Sequence, residues 1–487
     1  MRYILFSLFI LVTACSTTKP RESAVVAPVG ALTLEAALQQ APTATLSYLK
    51  TQTASAENPE KVEVKSIQKR DVASLLPDSL KAEKNNAPAP REKSQQQAFL
   101  RKFRNWTVAK KTKHGKELVE KFNCDQAVET QSLGYSLELD FPEQEARDIS
   151  RSLHEKVLTC ENFTKNESIF RLAVFSIQQG ECDKAMTYLG HFPAEPERTI
   201  RDRISYIKGF CSGSREVSYR NPLGGYGILL TDSNTSEVRP QWYLSTKSGS
   251  ADWDSVMQTM IELTEAGDAA AVKYIASKMN FDKFRELPLP FQTSMMVLMS
   301  YNEADLPVFQ NLHRYLSEHP EMLSSSIAGL LFPVRYWKEI TEHSRKADPI
   351  LVKALIRQES AFNRFSRSRA KASGLMQLIY PTAKLFGVTQ PKQLTDPEIN
   401  ITAGSAFLGQ LINQFGSVEL ALAAYNAGPA MVRQWQKRYP TDNIDLFVEM
   451  IPYSETREYV RLVTRNYKVY QTLLMKPQVL GQMNINK

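Results

Sequence analysis

Glu359 closes the stretch Asp348-Pro349-Ile350-Leu351-Val352-Lys353-Ala354-Leu355-Ile356-Arg357-Gln358-Glu359. On a helix, Leu351, Leu355 and Glu359 are spaced by four, which sets the carboxylate on the same face as two core leucines. Burial disfavours a charged carboxylate and raises its pKa, so the spacing predicts an acid able to release a proton near neutral pH. A glutamate at a helix end serves equally well in a salt bridge, so the weight falls on the side chains around it. Further along stand groups suited to a hydroxyl-rich ligand: the Gln377 amide, which donates and accepts, the apolar ring and hydroxyl of Tyr425, Asn426, and Glu455 just after Pro452. Each has a plainer alternative. Tyr425 can be packing, Glu455 can be favoured by its place in a first helical turn, and Met376 reads as core filler before ligand contact. No C-x-x-C pair or clustered histidine accompanies them, so no metal is expected.

Elements that would position these groups are also legible. Asp348 can cap a helix whose first residue is Pro349. Gly374 permits close backbone approach beside a cleft. Ala421, Ala423 and Ala424 allow tight helix packing that would hold Tyr425 rigidly, and Asn426-Ala427-Gly428-Pro429 turns the chain into a helix carrying Val432 and Trp435. After Pro452 a last helix buries Val460, Val463 and Tyr467. Upstream, residues 95–330 form successive amphipathic stretches, such as Val256-Met260-Ile261-Leu263 and Leu306-Phe309-Leu312-Leu316. No strict repeat period is visible. Between Pro222 and Thr246 the pattern reads either as two short extended segments around a turn or as a loop. The fold class expected is all-α, an α-superhelical array over 95–330 followed by a second α domain over 331–487.

Hydrophobic residues make up 43% and charged residues 23% of the 487, a soluble balance. The apolar run Tyr3 to Val12 behind Arg2 is too short to span a bilayer and suits a secretory signal peptide. It ends in Leu11-Val12-Thr13-Ala14-Cys15-Ser16, which resembles the lipobox of bacterial lipoproteins. That resemblance implies cleavage of residues 1–14, lipidation of Cys15 and a periplasmic body, and Ser16 points to the outer membrane. Residues 15–94, rich in Ala, Pro, Thr, Ser and Lys, read as a disordered tether with a short helix around Leu32 to Leu38. Cys124, Cys160, Cys182 and Cys211 fall together in an exported chain, where disulfides form. Sequential pairing would staple neighbouring helices, although four cysteines allow three arrangements. A net charge of +8 favours acidic partners. The basic stretch with Arg101, Lys102, Arg104, Lys110, Lys111, Lys113 and Lys116 around Trp106 reads first as a solvated helix face. The compartment excludes nucleic acid.

Four segments then resemble, in order, the motifs of the soluble-type lytic transglycosylases, which share the lysozyme fold. These are Arg357-Gln358-Glu359-Ser360-Ala361-Phe362-Asn363, Ser373-Gly374-Leu375-Met376-Gln377-Leu378-Ile379, Ala423-Ala424-Tyr425-Asn426-Ala427-Gly428-Pro429, and Ile451-Pro452-Tyr453-Ser454-Glu455-Thr456-Arg457-Glu458-Tyr459-Val460. The resemblance runs from about Phe332 to Leu474. It implies a lysozyme-like domain that cleaves peptidoglycan glycan strands with Glu359 as the sole acid and then base, using neither cofactor nor metal. It also implies saccharide contacts from Ser360, Ser368, Met376, Gln377, Ile379, Tyr425, Asn426 and Glu455. Ile379 and Tyr380 depart from the residues common in the family. The upstream array loosely resembles the superhelical domain of soluble members, with other cell-wall enzymes as alternative partners. Two rival functions stay open: a hydrolytic muramidase using Asp396 or Glu455 as second carboxylate, and a catalytically silent peptidoglycan-binding scaffold.

Overall fold

The computed structural model describes residues 42–54, 75–82, 91–138, 144–161, 163–213, 242–319, 322–344 and 346–475. Among these the regular structure is helical, with only isolated bridges between extended residues. The signal peptide, Cys15, the short helix expected around Leu32 to Leu38 and most of the Pro222 to Thr246 segment lie outside the described residues.

The expectation of a disordered linker throughout 15–94 is corrected. Helix α1 (Pro42–Ala54) buries Leu46 and Leu49 against the array, and Leu76 and Leu80 are buried as well. Tyr301 donates to Thr45 at 3.3 Å, and the Asn280 amide donates to the Leu80 carbonyl at 2.8 Å. The segment is poor in apolar residues, but four leucines suffice because each fills a site on a surface the array leaves open. The array itself begins at α2 (Arg91–Arg104), four residues before the expected boundary.

After α2 come α3 (Val108–Glu120), α4 (Ala127–Glu138), α5 (Gln144–Val157), α6 (Phe163–Gln178), α7 (Cys182–Leu189) and α8 (Arg198–Ser212). Cys124, before α4, is joined to Cys160, after α5, and Cys182 at the start of α7 is joined to Cys211 near the end of α8. Helices α9 (Ala251–Glu265), α10 (Ala269–Lys278), α11 (Phe281–Arg285), α12 (Leu289–Tyr301), α13 (Asp305–Glu318) and α14 (Ser325–Leu331) complete the array. Val256, Met260, Ile261 and Leu263 are buried as their spacing predicts, whereas Leu306 is 53% exposed.

The second unit holds α15 (Trp337–His343), α16 (Pro349–Ser360), α17 (Tyr380–Lys384), α18 (Pro397–Phe415), α19 (Val418–Ala427), α20 (Pro429–Arg438), α21 (Ile444–Met450) and α22 (Ser454–Met475). Helix α16 packs along α22, and α19 packs on both α18 and α22. Apart from two smaller clusters, one around Phe103, Leu118 and Leu133 and one around Leu378, Val388 and Leu394, one hydrophobic core runs from the array into this unit.

A buried polar network reinforces that continuity. Arg171 of α6 donates to the Met450 carbonyl at 2.9 Å and the Glu449 carbonyl at 3.2 Å, and pairs with Glu138 of α4. Glu138 also takes hydrogen bonds from Tyr439 at 3.1 Å and from His154 at 3.0 Å. Burial alone would push the Glu138 carboxyl up, but Arg171 and His154 outweigh it and hold it at about 2. Arg203 of α8 reaches Glu449 at 3.1 Å, and Arg457 of α22 reaches Glu167 of α6 at 2.6 Å. Such pairs offset the cost of burying charge only where further hydrogen bonds satisfy the partners.

Candidate active site

Helix α16 starts as its sequence dictates. The Asp348 carboxylate accepts from the Ile350 amide at 2.8 Å, Pro349 occupies the first turn, and Tyr467 of α22 donates to Asp348. Leu351 and Leu355 are fully buried. One turn further on the same face, Glu359 lies partly enclosed, and its carboxyl is raised to about 7. Burial is the main cause. A hydrogen bond from the Tyr459 hydroxyl to Glu359 Oε1 at 2.6 Å opposes it, and the negative charge of Glu455 adds to it. The helix then stops abruptly, because Ala361 and Phe362 adopt left-handed φ values of 47° and 63°. Such conformations cost about 1–3 kcal/mol each and cluster at functional sites. Here Phe362 is held in the core, 4.8 Å from the Lys353 ammonium.

Tyr459 lies on α22, one turn beyond Glu455, and is pushed well above the usual phenol range by burial and then by the Glu359 charge. It therefore stays protonated as a donor to Glu359. The sequence reading missed it as a functional residue, although the spacing of four from Glu455 was an available signal.

The segment from Ser366 to Ile379 is tied by its own backbone. Gly374 has φ 83°, and a Cβ there would lie 2.0 Å from the Leu394 carbonyl oxygen and 2.3 Å from Asn400 Nδ2. Buried Asn400 accepts from the Met376 amide at 2.8 Å and donates to the Ser373 and Leu394 carbonyls at 3.1 and 2.9 Å. Gln377 Nε2 donates to the carbonyls of Ser366 at 3.0 Å and Gly374 at 2.9 Å, so this amide nitrogen braces the loop. Ser368 Oγ, exposed, accepts from the Ala372 amide at 3.1 Å. Ile379 is 43% exposed, an apolar wall beside the loop. The assignment of Met376 as a saccharide contact is corrected for its side chain, which is fully buried, and a Cβ on Gly404 would lie 2.4 Å from its sulfur. What Met376 offers is its carbonyl, which accepts from the Tyr425 hydroxyl at 2.7 Å.

Tyr425 is thus fixed at both ends, with its ring 5.1 Å from Phe407. Burial and then the Glu359 charge raise its pKa well above 10, so it too stays protonated. Ser360 donates to the Ile356 carbonyl at 3.2 Å, and Asn426 Oδ1 accepts from Thr456 at 2.6 Å. Asp396 caps α18 by accepting from the Ile399 amide at 3.1 Å. A cavity of about 440 Å³ opens beside Glu359 and Ser360, walled by Leu306, Phe309 and His313 of α13. This accounts for the exposure of Leu306: the array supplies part of the cleft. Among the described residues no group of three or more His, Cys, Asp or Glu side chains is gathered as a metal site demands, and no helix among them is long and apolar enough to cross a membrane.

Residues 335–448 match the family described as the Transglycosylase SLT domain. The chain carries an SLT domain. Its matched span includes Glu359, Gln377 and Tyr425 and stops before Glu455 and Tyr459. The chain is 38% identical over 177 residues to the soluble lytic murein transglycosylase of Salmonella typhimurium and 39% identical over 181 residues to that of Escherichia coli K12. Those stretches are 32% and 33% of this chain and 27% and 28% of the relatives, so the chain spans about a quarter of the length of the curated relatives it matches. It is also 36% identical over 129 residues, 24% of this chain and 28% of the relative, to the membrane-bound lytic murein transglycosylase F of Desulfosudis oleivorans.

Beyond the SLT domain the likeness is one of fold. The crystal structure of the 70 kDa soluble lytic transglycosylase of Escherichia coli superposes with a TM-score of 0.56 at 20% identity, covering 80% of this chain and 64% of that one. An inactive glutamate-to-glutamine mutant of the lytic transglycosylase Slt of Pseudomonas aeruginosa gives 0.55 at 20% identity, covering 91% and 73%. The architecture is therefore an all-α array joined to a lysozyme-like domain, as the sequence predicts.

Proposed function

We propose that this chain is a peptidoglycan lytic transglycosylase whose acid and base are both Glu359. The observation that carries the reading is the Glu359 carboxyl itself: raised to about 7, facing a cavity, and held by a buried tyrosine donor. A carboxyl of that pKa is protonated often enough to donate and weak enough as an acid to take a proton back near neutral pH. Glu359 gives its proton to the glycosidic oxygen between N-acetylmuramic acid and N-acetylglucosamine, so that the C1–O bond breaks. The muramic acetamido oxygen bonds to C1 in its place, forming an oxazolinium. The Glu359 carboxylate then takes the proton of the C6 hydroxyl, whose oxygen attacks C1 and expels the acetamido oxygen. The product is a 1,6-anhydromuramic end, with no water consumed and Glu359 protonated again.

Tyr459 stabilises the carboxylate stage by its hydrogen bond and, with Tyr425, keeps the site preorganised. Ser360, Ser368, Gln377, Ile379, Asn426 and Glu455 are proposed to hold the sugars, with Glu455 bonding hydroxyls rather than transferring protons. Asp396 is engaged as a helix cap, which disfavours it as the second carboxylate of a hydrolase. A lipid on Cys15 would tether the enzyme to the periplasmic face of the outer membrane, within reach of its polymer.

The test is digestion of sacculi by the mature chain and by Glu359→Gln, with soluble muropeptides identified by mass. Anhydro ends are expected from the parent, falling by about 10²–10⁴-fold in the variant. Products carrying added water would make the chain a hydrolase and turn attention to Glu455. Full activity in the variant would remove Glu359 from the mechanism, and no release by the parent would leave a binding scaffold.

A further inference from the structure

From Ser360 to Thr395 the chain carries no Asp or Glu, while Arg364, Arg367, Arg369, Lys371, Lys384 and Lys392 fall within it. The stretch folds into a lobe with a small core of its own, in which Leu378, Ala383, Val388 and Leu394 pack with Ala403 of α18. Its cations separate by position. Arg364 is half-buried, and its charge acts on Glu303 of the array. A tight hairpin follows: the Ser368 amide donates to the Ala372 carbonyl at 2.9 Å, the Lys371 amide donates to the Ser368 carbonyl at 3.0 Å, and Lys371 is left-handed with φ 64°. Arg367, Arg369 and Lys371 are exposed on this hairpin, and Lys384 and Lys392 are exposed further along the lobe. None of these five has an ion-pair partner among the described residues.

The same lobe holds the large apolar side chains that the site leaves unexplained. Among the described residues the exposed ones are Leu306, which walls the Glu359 cavity, Ile379, which flanks the saccharide loop, and Phe365 and Leu385. Phe365, whose ring lies 4.8 Å from the Arg364 guanidinium, is 68% exposed, and Leu385, just after α17, is 80% exposed. Exposed cations without neighbouring acids gain by meeting anions, and a large apolar side chain gains by leaving water. An anionic lipid surface supplies both together, phosphates at the headgroup level and an acyl boundary beneath them. A hydroxyl-rich glycan offers Leu385 no such phase to enter.

We propose that this lobe docks on an anionic lipid surface, with Phe365 and Leu385 entering the headgroup boundary and Arg367, Arg369, Lys371, Lys384 and Lys392 meeting lipid phosphates. The proposal goes beyond the catalytic reading and does not depend on it. Added to the lipid proposed on Cys15, the contact gives membrane attachment a second signal and sets the orientation of the SLT domain. Because the hairpin also carries Ser368, docking places the saccharide loop beside the lipid surface.

The test is co-sedimentation with vesicles of the mature chain, produced from residue 15 with Cys15→Ser so that no acyl chain contributes. One set of vesicles is pure phosphatidylcholine, and the other contains about one-third phosphatidylglycerol. Binding to the anionic set is expected to exceed binding to the neutral set by about tenfold or more, and to decline as salt rises. Arg367→Gln, Arg369→Gln and Lys371→Gln together should weaken it by about fivefold for each cation removed, whereas Arg367→Lys with Arg369→Lys should retain it. Arg101→Gln, Arg104→Gln and Lys113→Gln, which remove the same charge from the array, should leave it within about twofold. Phe365→Ser and Leu385→Ser should each weaken it by about tenfold, at high salt as at low. Equal binding to both vesicle sets would overturn the proposal, as would indifference to both apolar variants. Equal losses from the hairpin and array triples would do the same, by making overall charge the cause. A hairpin triple that keeps vesicle binding and loses only binding to sacculi would make the face a polymer site and overturn it too. Release of anhydro products by the same chain is scored separately, so failure of either reading leaves the other standing.

Discussion

Removing the Tyr459 hydroxyl should move the alkaline limb of activity upward, and removing the Glu455 charge should move it downward. The parent enters its cycle with Glu359 protonated, so kcat/KM should fall tenfold per pH unit above about 7. The Tyr459 hydrogen bond favours the carboxylate and so lowers the pKa; its loss in Tyr459→Phe raises it. A hydrogen bond to a charged group is worth about 1.5–3 kcal/mol, and 1.36 kcal/mol corresponds to one pH unit. The limb should therefore rise by about one to two units. Glu455 raises the Glu359 pKa, so Glu455→Gln lowers it, and by less, because Glu455 is exposed and screened. Initial rates of muropeptide release at low substrate, from pH 5 to 9 at fixed ionic strength, read both shifts. The reasoning is refuted if the two variants move the limb in the same direction, or if Tyr459→Phe lowers the rate equally at every pH.

Three further outcomes follow from packing and charge. Gly374→Ala meets the Leu394 carbonyl and Asn400 at a left-handed φ, so a loss of about 2–4 kcal/mol is expected in chemical denaturation, and a loss under about 0.5 kcal/mol would contradict the geometry. Glu138, held at about 2 against an ordinary 4.5, contributes stability that is fully present above pH 4.5 and lost as pH falls toward 2. Glu138→Gln should flatten the stability curve over that window, and Arg171→Met should cost about 3–5 kcal/mol at neutral pH by stranding the carboxylate.

The helical class and the helix under Glu359 were legible because cap, proline and apolar spacing agree locally: Asp348, Pro349, Leu351 and Leu355 all point the same way. The docking of α1 was not, because Leu46 and Leu49 stand among small polar residues and acquire meaning only from the surface of α9 that receives them. The Tyr459 bond to Glu359 spans a hundred residues, so the spacing of four from Glu455 could mark the helix face of Tyr459 but not its partner. For Gln377 the residue type stated what the amide could bond but not that its nitrogen is occupied by the loop itself. Likewise the basic stretch around Trp106 announced charge, and only the folded helices show Lys102 paired with Glu129 and Lys116 with Glu145.

The Arg171 network bears on how such a chain can be recombined. Its guanidinium grips the carbonyls that end α21, immediately before the turn that launches Glu455 and Tyr459. A crossover in the connection ahead of α15 would join this SLT domain to a foreign array, leave Glu449 buried without Arg203 and deprive that turn of its clamp. A graft intended to retarget the domain is therefore expected to keep that turn in place only if it carries α4, α6 and α8 along with it.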